Sequence, residues 1–360
     1  MSDSGIEGQP RRPVRTAVIG AGGFGRHHVR IQHAMQGAHL VAVVDRDAGI
    51  REGVAQAYGV PVFADVSELP ADVEAASIAV PTDLHHEIAL PLLRRGISTL
   101  IEKPMVRTLE EGRDLIRAAE ESGAVIAVGH VERFNPAVRA LQRHDVRPRF
   151  IEASRVAPFS FRSADVGVVM DLMIHDIDIV LHLAGARPLR VEAVGVPVLT
   201  PHEDIANARI TFDNGCVATL TASRVATKVE RKLRVFSPDA YLVVDFGERQ
   251  GLLYKKSPDL TVEKVMELQR GAQSLADLQG AVFGDLLTIE HLTVPPGDAL
   301  TDEIEHFLDC VRAGARPGVS GHEGLEAVSL ALQILEAIRT SPAADVGRVG
   351  SSFEPPSRRG

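Results

Sequence analysis

A glycine-rich segment near the amino terminus constrains the fold of this chain more than any other feature. Residues 14–20 read VRTAVIG, an apolar strand pattern, and the sequence Gly20-Ala21-Gly22-Gly23-Phe24-Gly25 completes the turn and opens a helical stretch. The next apolar run, HLVAVVD, ends at Asp45. Strand, helix and strand within about 32 residues make one βαβ unit, and GxGxxG inside such a unit is typical of a dinucleotide site.

Each residue of this motif has a specific expected role. Gly20 permits the tight turn, Gly22 lets a pyrophosphate approach the N–H groups of the helix N-terminus, and Gly25 lets the helix pack against the strand. Asp45 lies 20 residues after Gly25, where a carboxylate binds the ribose hydroxyls and repels a 2′-phosphate, which favours NAD over NADP. Arg46 leaves NADP as an alternative cofactor, because a guanidinium there can pair with a 2′-phosphate. The predicted cofactor residues of this region are Gly20, Gly22, Gly23, Phe24, Gly25, Asp45 and Arg46.

The alternation of strands and helices continues to about residue 132. Further apolar runs end at 80, 102 and 130. The segments between them have helical patterns: 48–58, 84–95 and 109–122. Apolar strands between amphipathic helices are typical of a doubly wound parallel sheet that is covered on both faces. We therefore predict a dinucleotide-binding Rossmann domain over residues 14–132, after a disordered N-terminus at 1–13.

The second half of the chain has a different pattern. One strongly apolar helical stretch, residues 168–184, precedes several β-type runs between 191 and 246, and Asp213-Asn214-Gly215 is a hairpin turn between two of them. Helical patterns at 302–313 and 322–340 follow, whereas 255–296 shows no clear pattern. We predict a substrate and oligomerisation domain over 133–342, of α+β class with a large, mostly antiparallel sheet, and a disordered tail at 343–360. The fold class is thus α/β, a Rossmann domain followed by an α+β domain.

Composition restricts the partners of such a protein. The chain has 360 residues, which suits two domains, and a formal charge of -9, which argues against a general nucleic-acid surface. Cys216 and Cys310 form neither a disulfide framework nor a metal-type spacing, and a reducing cytoplasm fits them best. The two arginines of residues 1–13 are followed by no apolar stretch, so we expect no secretion signal. We expect a small-molecule substrate, with no nucleic-acid partner, no membrane partner and no metal.

The apolar helix at 168–184 carries one narrow polar stripe. Asp171, His175, Asp178 and His182 fall within an arc of about 60° on a helical wheel, and apolar residues fill most of the remainder. A solvent-facing side normally carries Lys and Glu over a wide arc, so a stripe of Asp and His alone indicates a cleft-facing site. An ordinary amphipathic helix and a zinc site are the alternatives, although neither HExxH nor a Cys/His cluster is present.

Four motifs together carry a resemblance to a known family. They are the GxGxxG with His27 beyond it, PTDLHHE at 81–87, EKP at 102–104 and DLMIHDID at 171–178. In this order and spacing they resemble the Gfo/Idh/MocA family of sugar and cyclitol oxidoreductases, over about residues 14–340. The resemblance implies NAD-dependent oxidation of a CH–OH group, with the nicotinamide across the carboxyl end of the parallel sheet. It also implies a cytoplasmic homodimer or homotetramer.

The resemblance also implies roles for particular residues. Lys103, Asp171 and His175 would form the catalytic set. Histidine suits the removal of a hydroxyl proton as hydride leaves carbon, Asp171 would orient the imidazole, and Lys103 would stabilise the alkoxide or itself act as the base. The implied residues around the nicotinamide are Pro81, His85, Glu102, Lys103 and Pro136. The implied substrate residues are Arg133, Asn135, Asp171 and His175.

Two longer segments narrow the expected substrate. GHVERFNPAV at 129–138 and DVGVVMDLMIHDID at 165–178 resemble members of the family that oxidise the C3 hydroxyl of UDP-N-acetylglucosamine to a ketone for lipid A biosynthesis. Arg155 and Arg162 are candidates for holding the diphosphate, because arginine makes bidentate phosphate contacts, or else are exposed solubility residues. A myo-inositol or free-sugar dehydrogenase would share the catalytic residues. A dinucleotide-binding regulator is the alternative outside enzymes, but it would need no proton-transfer set.

Overall fold

The computed structural model describes residues 12–144, 146–160, 165–257, 260–271, 274, 287–294 and 296–341. The chain divides into two compact units. The first comprises the residues up to Phe134 together with Asp298–Val328, and the second comprises Asn135–Gly297 and the residues from Ser329 onward. The expectation of disorder at both ends falls on residues 1–11 and 342–360, which lie outside the described residues, as does Arg162.

The first unit is built on a six-stranded parallel sheet. Its strands are β1 (Val14–Ile19), β2 (Ala38–Val44), β3 (Val62–Phe63), β4 (Ala75–Ile78), β5 (Ser98–Glu102) and β6 (Ile126–Gly129). They lie in the order β3-β2-β1-β4-β5-β6, and every neighbouring pair is parallel. This is the strand order of a Rossmann sheet, so the predicted fold of this unit is confirmed.

Four helices connect these strands, and local sequence signals set their ends. They are α1 (Gly25–Ala34), α2 (Ala48–Tyr58), α3 (His85–Arg94) and α4 (Leu109–Ser122). Asp47 caps α2 by accepting from the N–H groups of Gly49 and Ile50, and Thr108 forms a capping box with Glu111 at the start of α4. Gly59 and Gly123 end α2 and α4 in the left-handed conformation.

The second unit is built on an eight-stranded mixed sheet. Its strands are β7 (Phe150–Val156), β8 (Pro188–Val196), β9 (Ile205–Phe212), β10 (Val217–Ser223), β11 (Glu230–Phe236), β12 (Ala240–Asp245), β13 (Gln250–Lys256) and β14 (Leu287–His291). The order is β14-β13-β12-β11-β7-β10-β9-β8. Among these pairs β7 and β10 run parallel and the others antiparallel. The predicted mostly antiparallel sheet is confirmed, and the hairpin turn between β9 and β10 has Gly215 at φ +80°.

Five further helices complete the described part of the chain. They are α5 (Pro136–Gln142), α6 (Ile174–Ala184), α7 (Val262–Gly271), α8 (Ala299–Ala313) and α9 (Gly321–Thr340), and the division between the two units falls within α9. Among the described helices, none is long and apolar enough to cross a membrane.

Helix α8 corrects the predicted domain division. The sequence analysis placed it in the second domain, but Leu300, Ile304 and Phe307 pack in a core cluster with Val14 of β1 and Leu100 of β5. The spacing of the apolar residues along α8 fixes which face is buried. The spacing does not specify which surface covers that face. The return of the chain to the first unit at α8 therefore could not be predicted from the local sequence.

Candidate cofactor and catalytic site

The glycine-rich loop has the geometry that a dinucleotide requires. Gly20 has φ +82°, and a Cβ on it would lie 2.6 Å from the carbonyl oxygen of Ala79. A Cβ on Gly25 would lie 1.8 Å from the carbonyl oxygen of Gly20. Around Gly22 and Gly23 the space is open, since a Cβ on Gly22 would meet only Ile50, at 3.8 Å, and one on Gly23 would meet nothing within 4 Å. Gly20 and Gly25 therefore allow the tight turn. Gly22 and Gly23 leave room for a pyrophosphate at the N-terminus of α1.

Asp45 lies beside this loop, as predicted. It directly follows β2, where its Oδ2 accepts a hydrogen bond from the N–H of Ala21 at 2.8 Å and its Oδ1 accepts one from the N–H of Asp47 at 2.9 Å. The carboxylate thus connects the end of β2 to the glycine loop. Each oxygen retains a further lone pair, which the hydroxyls of a ribose can use.

A cavity of about 350 Å³ opens between the glycine loop, the ends of β2 and β3, and the start of α3. Its ionisable lining side chains are Asp45, Arg46, Asp65 and Glu87, and Pro81 also lines it. The volume lies within the range of small-molecule sites. Phe24, which is 45% exposed, is not among the lining residues, and its ring contacts those of His27 and His28.

We expect Asp45→Ala to narrow the preference for NAD over NADP. The substitution removes the carboxylate that would repel a 2′-phosphate and that would bind the ribose hydroxyls of NAD. Calorimetric titration of both cofactors measures the two dissociation constants. Tighter binding of NADP than of NAD to the unaltered protein would contradict the assignment of Asp45.

His85 lies beneath the surface of this region. It is 0% exposed, and its Nε2 lies 2.9 Å from the carbonyl oxygen of Val80. Its Nδ1 lies 3.0 Å from the carbonyl oxygen of Pro104 and 3.2 Å from that of Met105. The resemblance implied that His85 surrounds the nicotinamide. The structure shows a buried ring that connects the segment before α3 to the segment after Lys103, and its place around the nicotinamide stays a prediction.

Glu102 and Lys103 follow each other at the carboxyl end of β5. Oε1 of Glu102 lies 3.0 Å from Nε2 of His28, a fully buried residue of α1. Glu102 pairs in register with Gly129, on which a Cβ would lie 2.9 Å from the Glu102 carboxyl group, so glycine makes room for it. Lys103 is half-buried and directly follows the end of β5. Ligands of open α/β sheets bind at such carboxyl ends of strands.

His130, which directly follows β6, was not among the residues predicted from the sequence. It is 1% exposed, and its pKa is lowered to about 3, first by burial and then by the positive charges of Lys103 and Arg133. Its ring is therefore neutral at physiological pH. Arg133 itself donates from Nη2 to the carbonyl oxygen of Gly318 at 3.2 Å. The position of His130 directly after an apolar strand was the one available signal.

Asp171 and His175 lie at the start of the helix that carries the polar stripe. The expected regular helix over 168–184 is corrected, because Val169–Met173 forms a π-helical turn before α6 begins. A π turn holds more residues than an α turn, so the wheel angle assumed for Asp171 does not apply. Single π turns occur frequently at functional sites.

The stripe is also less uniform than the wheel suggested. Asp171 and His175 are half-buried, Asp178 is buried and His182 is exposed. Nε2 of His182 lies 2.9 Å from the side-chain nitrogen of Gln142. Asp171 and His175, the two stripe residues that belong to the implied catalytic set, are thus both half-buried, whereas Asp178 and His182 are not.

The loop before β9 holds the π turn in place. The carbonyl oxygen of Glu203 accepts from the N–H of Val168 at 3.0 Å, and its Oε1 accepts from the N–H of Val169 at 3.2 Å. A Cβ on Gly167 would lie 1.9 Å from the Glu203 carboxyl group, so only glycine allows this approach. The start of the stripe helix is therefore fixed from outside the helix itself.

Asp204 stabilises the same loop. Burial alone would raise its pKa, but hydrogen bonds from the N–H groups of Thr200, Leu199 and Val198 lower the pKa to about 2. Its Oδ1 lies 3.5 Å from Nε of Arg224, which also donates to the carbonyl oxygen of Val166. A buried carboxylate and guanidinium thus connect the loop to the residues just before the π turn.

The remaining predicted substrate residues have structural contacts of their own. Asn135 caps α5 by accepting from the N–H of Ala137 at 3.0 Å, and Pro136 is the buried first residue of that helix. Arg155 is 3% exposed, and its Nε and Nη2 donate to the two carboxylate oxygens of Asp176 at 2.9 and 2.8 Å. Arg155 therefore does not present the exposed donors that a diphosphate requires. Arg162 lies outside the described residues.

Among the described residues, no group of three or more His, Cys, Asp or Glu side chains is placed to hold a metal ion.

Comparison with known proteins identifies the family. The model of the Gfo/Idh/MocA oxidoreductase family, described as an NAD-binding Rossmann fold, matches residues 14–130, and that of its C-terminal domain matches residues 137–243. UDP-N-acetylglucosamine 3-dehydrogenase from Acidithiobacillus ferrooxidans is 37% identical over 326 residues, which cover 90% of this chain and 97% of that protein. Inositol 2-dehydrogenase from Rhizobium meliloti is 27% identical and covers 88% of this chain and 94% of its own length.

Solved structures agree with this result. The structure of the Acidithiobacillus ferrooxidans enzyme has a TM-score of 0.80 at 36% identity and covers 91% of this chain and 98% of its own. Levoglucosan dehydrogenase in complex with NADH has a TM-score of 0.77 at 18% identity, over 91% of this chain and 97% of its own, and shares the fold. The glycine cradle, Asp45 and the adjoining cavity fit the NAD for which the matching family model is described. The chain therefore belongs to the Gfo/Idh/MocA family and is an NAD-dependent oxidoreductase.

Proposed function

We propose that this enzyme oxidises the C3 hydroxyl of UDP-N-acetylglucosamine to a ketone. The supporting observation is its 37% identity, along 90% of the chain, to an enzyme named for that reaction, against 27% to an inositol dehydrogenase. Lys103, Asp171 and His175, which the resemblance assigns to catalysis, are all present. A regulator that only binds a dinucleotide would have no use for this set.

The roles of these residues follow from the chemistry of alcohol oxidation. NAD, when bound, would supply the hydride acceptor, C4 of its nicotinamide, for the hydrogen that leaves C3 of the sugar. His175 takes the proton of the C3 hydroxyl as the carbonyl forms, since imidazole is the side chain that changes protonation nearest to neutral pH. Asp171, one turn earlier, orients the imidazole and stabilises the positive charge that it gains. Lys103 stabilises the negative charge that develops on the C3 oxygen.

The structure gives a reason to prefer His175 over His130 as the base. The pKa of His130 is about 3, because burial and then the charges of Lys103 and Arg133 lower it. Such an imidazole binds a proton too weakly to take one from a sugar hydroxyl at neutral pH. His175 is half-buried at the start of α6, beside the π turn that holds Asp171.

A substrate panel tests the proposal. Purified enzyme with NAD is incubated with UDP-N-acetylglucosamine, UDP-N-acetylglucosaminuronic acid, myo-inositol or glucose, and the absorbance of the reduced cofactor is followed. We expect reduction with UDP-N-acetylglucosamine at the lowest concentrations. Reduction with myo-inositol or glucose alone would favour the cyclitol or free-sugar reaction, and NAD binding without any reduction would favour a regulator.

We also propose a cellular setting for this activity. A 3-keto sugar nucleotide can be converted to a 3-amino sugar by transamination. We therefore propose that the enzyme acts in lipid A biosynthesis, as the resemblance implied. Cys216 and Cys310 are both free and buried, which fits the reducing cytoplasm. Liquid chromatography of the reaction with an added amino donor and aminotransferase would detect the 3-amino sugar.

The open face of the second sheet supports a homodimer or homotetramer. Phe150, Phe236, Tyr241 and Tyr254 lie in one register row across four strands, with ring centroids 4.5–5.5 Å apart between neighbours. They are only partly buried, whereas Ile151, Val235 and Leu242 on the opposite face are at most 1% exposed. Light scattering is expected to give two or four times the chain mass of 38.7 kDa, and a monomer mass would contradict this.

A further inference from the structure

The cofactor cavity contains a cation that on its own would favour NADP. Arg46 directly follows Asp45, is exposed and lines the cavity. A guanidinium binds a phosphate through two parallel hydrogen bonds, so an arginine at the end of β2 is well placed to bind the 2′-phosphate of NADP. Besides the repulsion from Asp45, a group that weakens this attraction would strengthen the preference for NAD.

Asp65 and Arg46 follow the ends of the neighbouring strands β3 and β2. Val44 of β2 pairs with Phe63 of β3, and the N–H of Asp45 donates to the carbonyl oxygen of Phe63 at 3.1 Å. Arg46 and Asp65 are each two residues beyond this pair, and both line the cavity. The pKa of Asp65 is lowered, mainly by hydrogen bonds from Ser67 and further by the charge of Arg46. The two charges therefore interact across the cavity wall.

We propose that Asp65 adds to the preference for NAD that Asp45 sets, by offsetting the charge of Arg46, whose guanidinium would otherwise bind the 2′-phosphate of NADP. The balance of charge on the lining supports this role, since Asp45, Asp65 and Glu87 supply three carboxylates against the single guanidinium of Arg46. The inference concerns the cofactor alone, so it is independent of the sugar substrate proposed above.

The local structure holds Asp65 in a defined orientation. Its Oδ1 accepts from the N–H of Ser67 at 2.9 Å and from the Ser67 hydroxyl at 2.7 Å. Oε1 of Glu68 accepts from the N–H of Asp65 at 3.0 Å, which completes a capping box. Asparagine caps helices as well as aspartate does. Asp65→Asn therefore removes the charge while it retains the cap.

Cofactor binding to the full-length protein tests the proposal without any sugar. Isothermal titration gives the dissociation constants of NAD and NADP for the unaltered protein and for Asp65→Asn. We expect the dissociation constant of NADP to fall roughly threefold to fivefold, the upper end of one exposed charge interaction, while that of NAD stays within about twofold. The retained binding of NAD shows that the variant is folded, and Asp65→Ser replaces it if it is not.

Two further variants separate the possible causes. Ser67→Ala removes a hydrogen bond to Asp65 but no charge, so the dissociation constant of NADP should not change. In an Arg46→Ala background, Asp65→Asn should give no gain in NADP affinity, because the residue through which Asp65 acts is missing. An unchanged dissociation constant for NADP in Asp65→Asn overturns the proposal. An equal gain without Arg46 also overturns it, since Asp65 would then repel the phosphate directly.

Discussion

Replacement of His175 with alanine is expected to lower kcat for the sugar nucleotide by ~10²–10⁴-fold, the contribution of a general base. The dissociation constant of NAD should change by less than about twofold, because the glycine loop and Asp45 belong to the first unit and His175 to the second. Steady-state kinetics and calorimetric titration measure the two quantities. The pH profile of kcat/KM should also lose its acidic limb in this variant, since that limb reports protonation of the base in the free enzyme.

His182→Ala is the matched control. It removes an imidazole of the same helix that is exposed and close to Gln142, so kcat should remain nearly unchanged. Unaltered turnover in His175→Ala would remove His175 from the mechanism. Retention of the acidic limb in His175→Ala, together with its loss in Lys103→Ala, would instead assign the base to Lys103.

The parts of the fold that were predicted correctly depend on short-range requirements. Gly20 needs a positive φ, and Gly25 needs to approach the backbone of Gly20, so the motif alone specifies the turn. Asp47 and Thr108 cap α2 and α4, whose observed bounds equal the predicted ones. The turn between β9 and β10 likewise depends on the positive φ of Gly215 and on Asn214, whose Oδ1 accepts a hydrogen bond from the N–H of Cys216 at 2.9 Å.

The parts that were not predicted depend on partners distant in sequence. β7 lies between β10 and β11, which follow it by more than 60 residues, and nothing within β7 indicates this. The π turn at Asp171 is held by Glu203, whose contact with Val169 spans 34 residues. The same limit applies to Arg155, because a local pattern cannot distinguish a phosphate-binding arginine from one that pairs with an aspartate 21 residues away.

Loss of the carboxylate of Asp176 is expected to lower the free energy of unfolding by about 3–5 kcal/mol. Asp176 and Arg155 are 4% and 3% exposed, and they join α6 to β7 through two hydrogen bonds. Asp176→Ala would remove the carboxylate that accepts these two hydrogen bonds from a buried guanidinium, which costs far more than the loss of a surface pair. Urea unfolding followed by circular dichroism measures the change.

Two controls show whether the buried charge of Arg155 is the cause of the lost stability. Glu290→Ala breaks an ion pair with Lys255 in which both side chains are about half exposed, and it should cost less than about 1 kcal/mol. The double variant Arg155→Met with Asp176→Leu removes both charges and should recover most of the stability. A double variant as unstable as Asp176→Ala would contradict this explanation. If the folded double variant also keeps its KM for UDP-N-acetylglucosamine, Arg155 positions the stripe helix and does not bind the diphosphate, because removal of a diphosphate contact would raise KM whatever the stability.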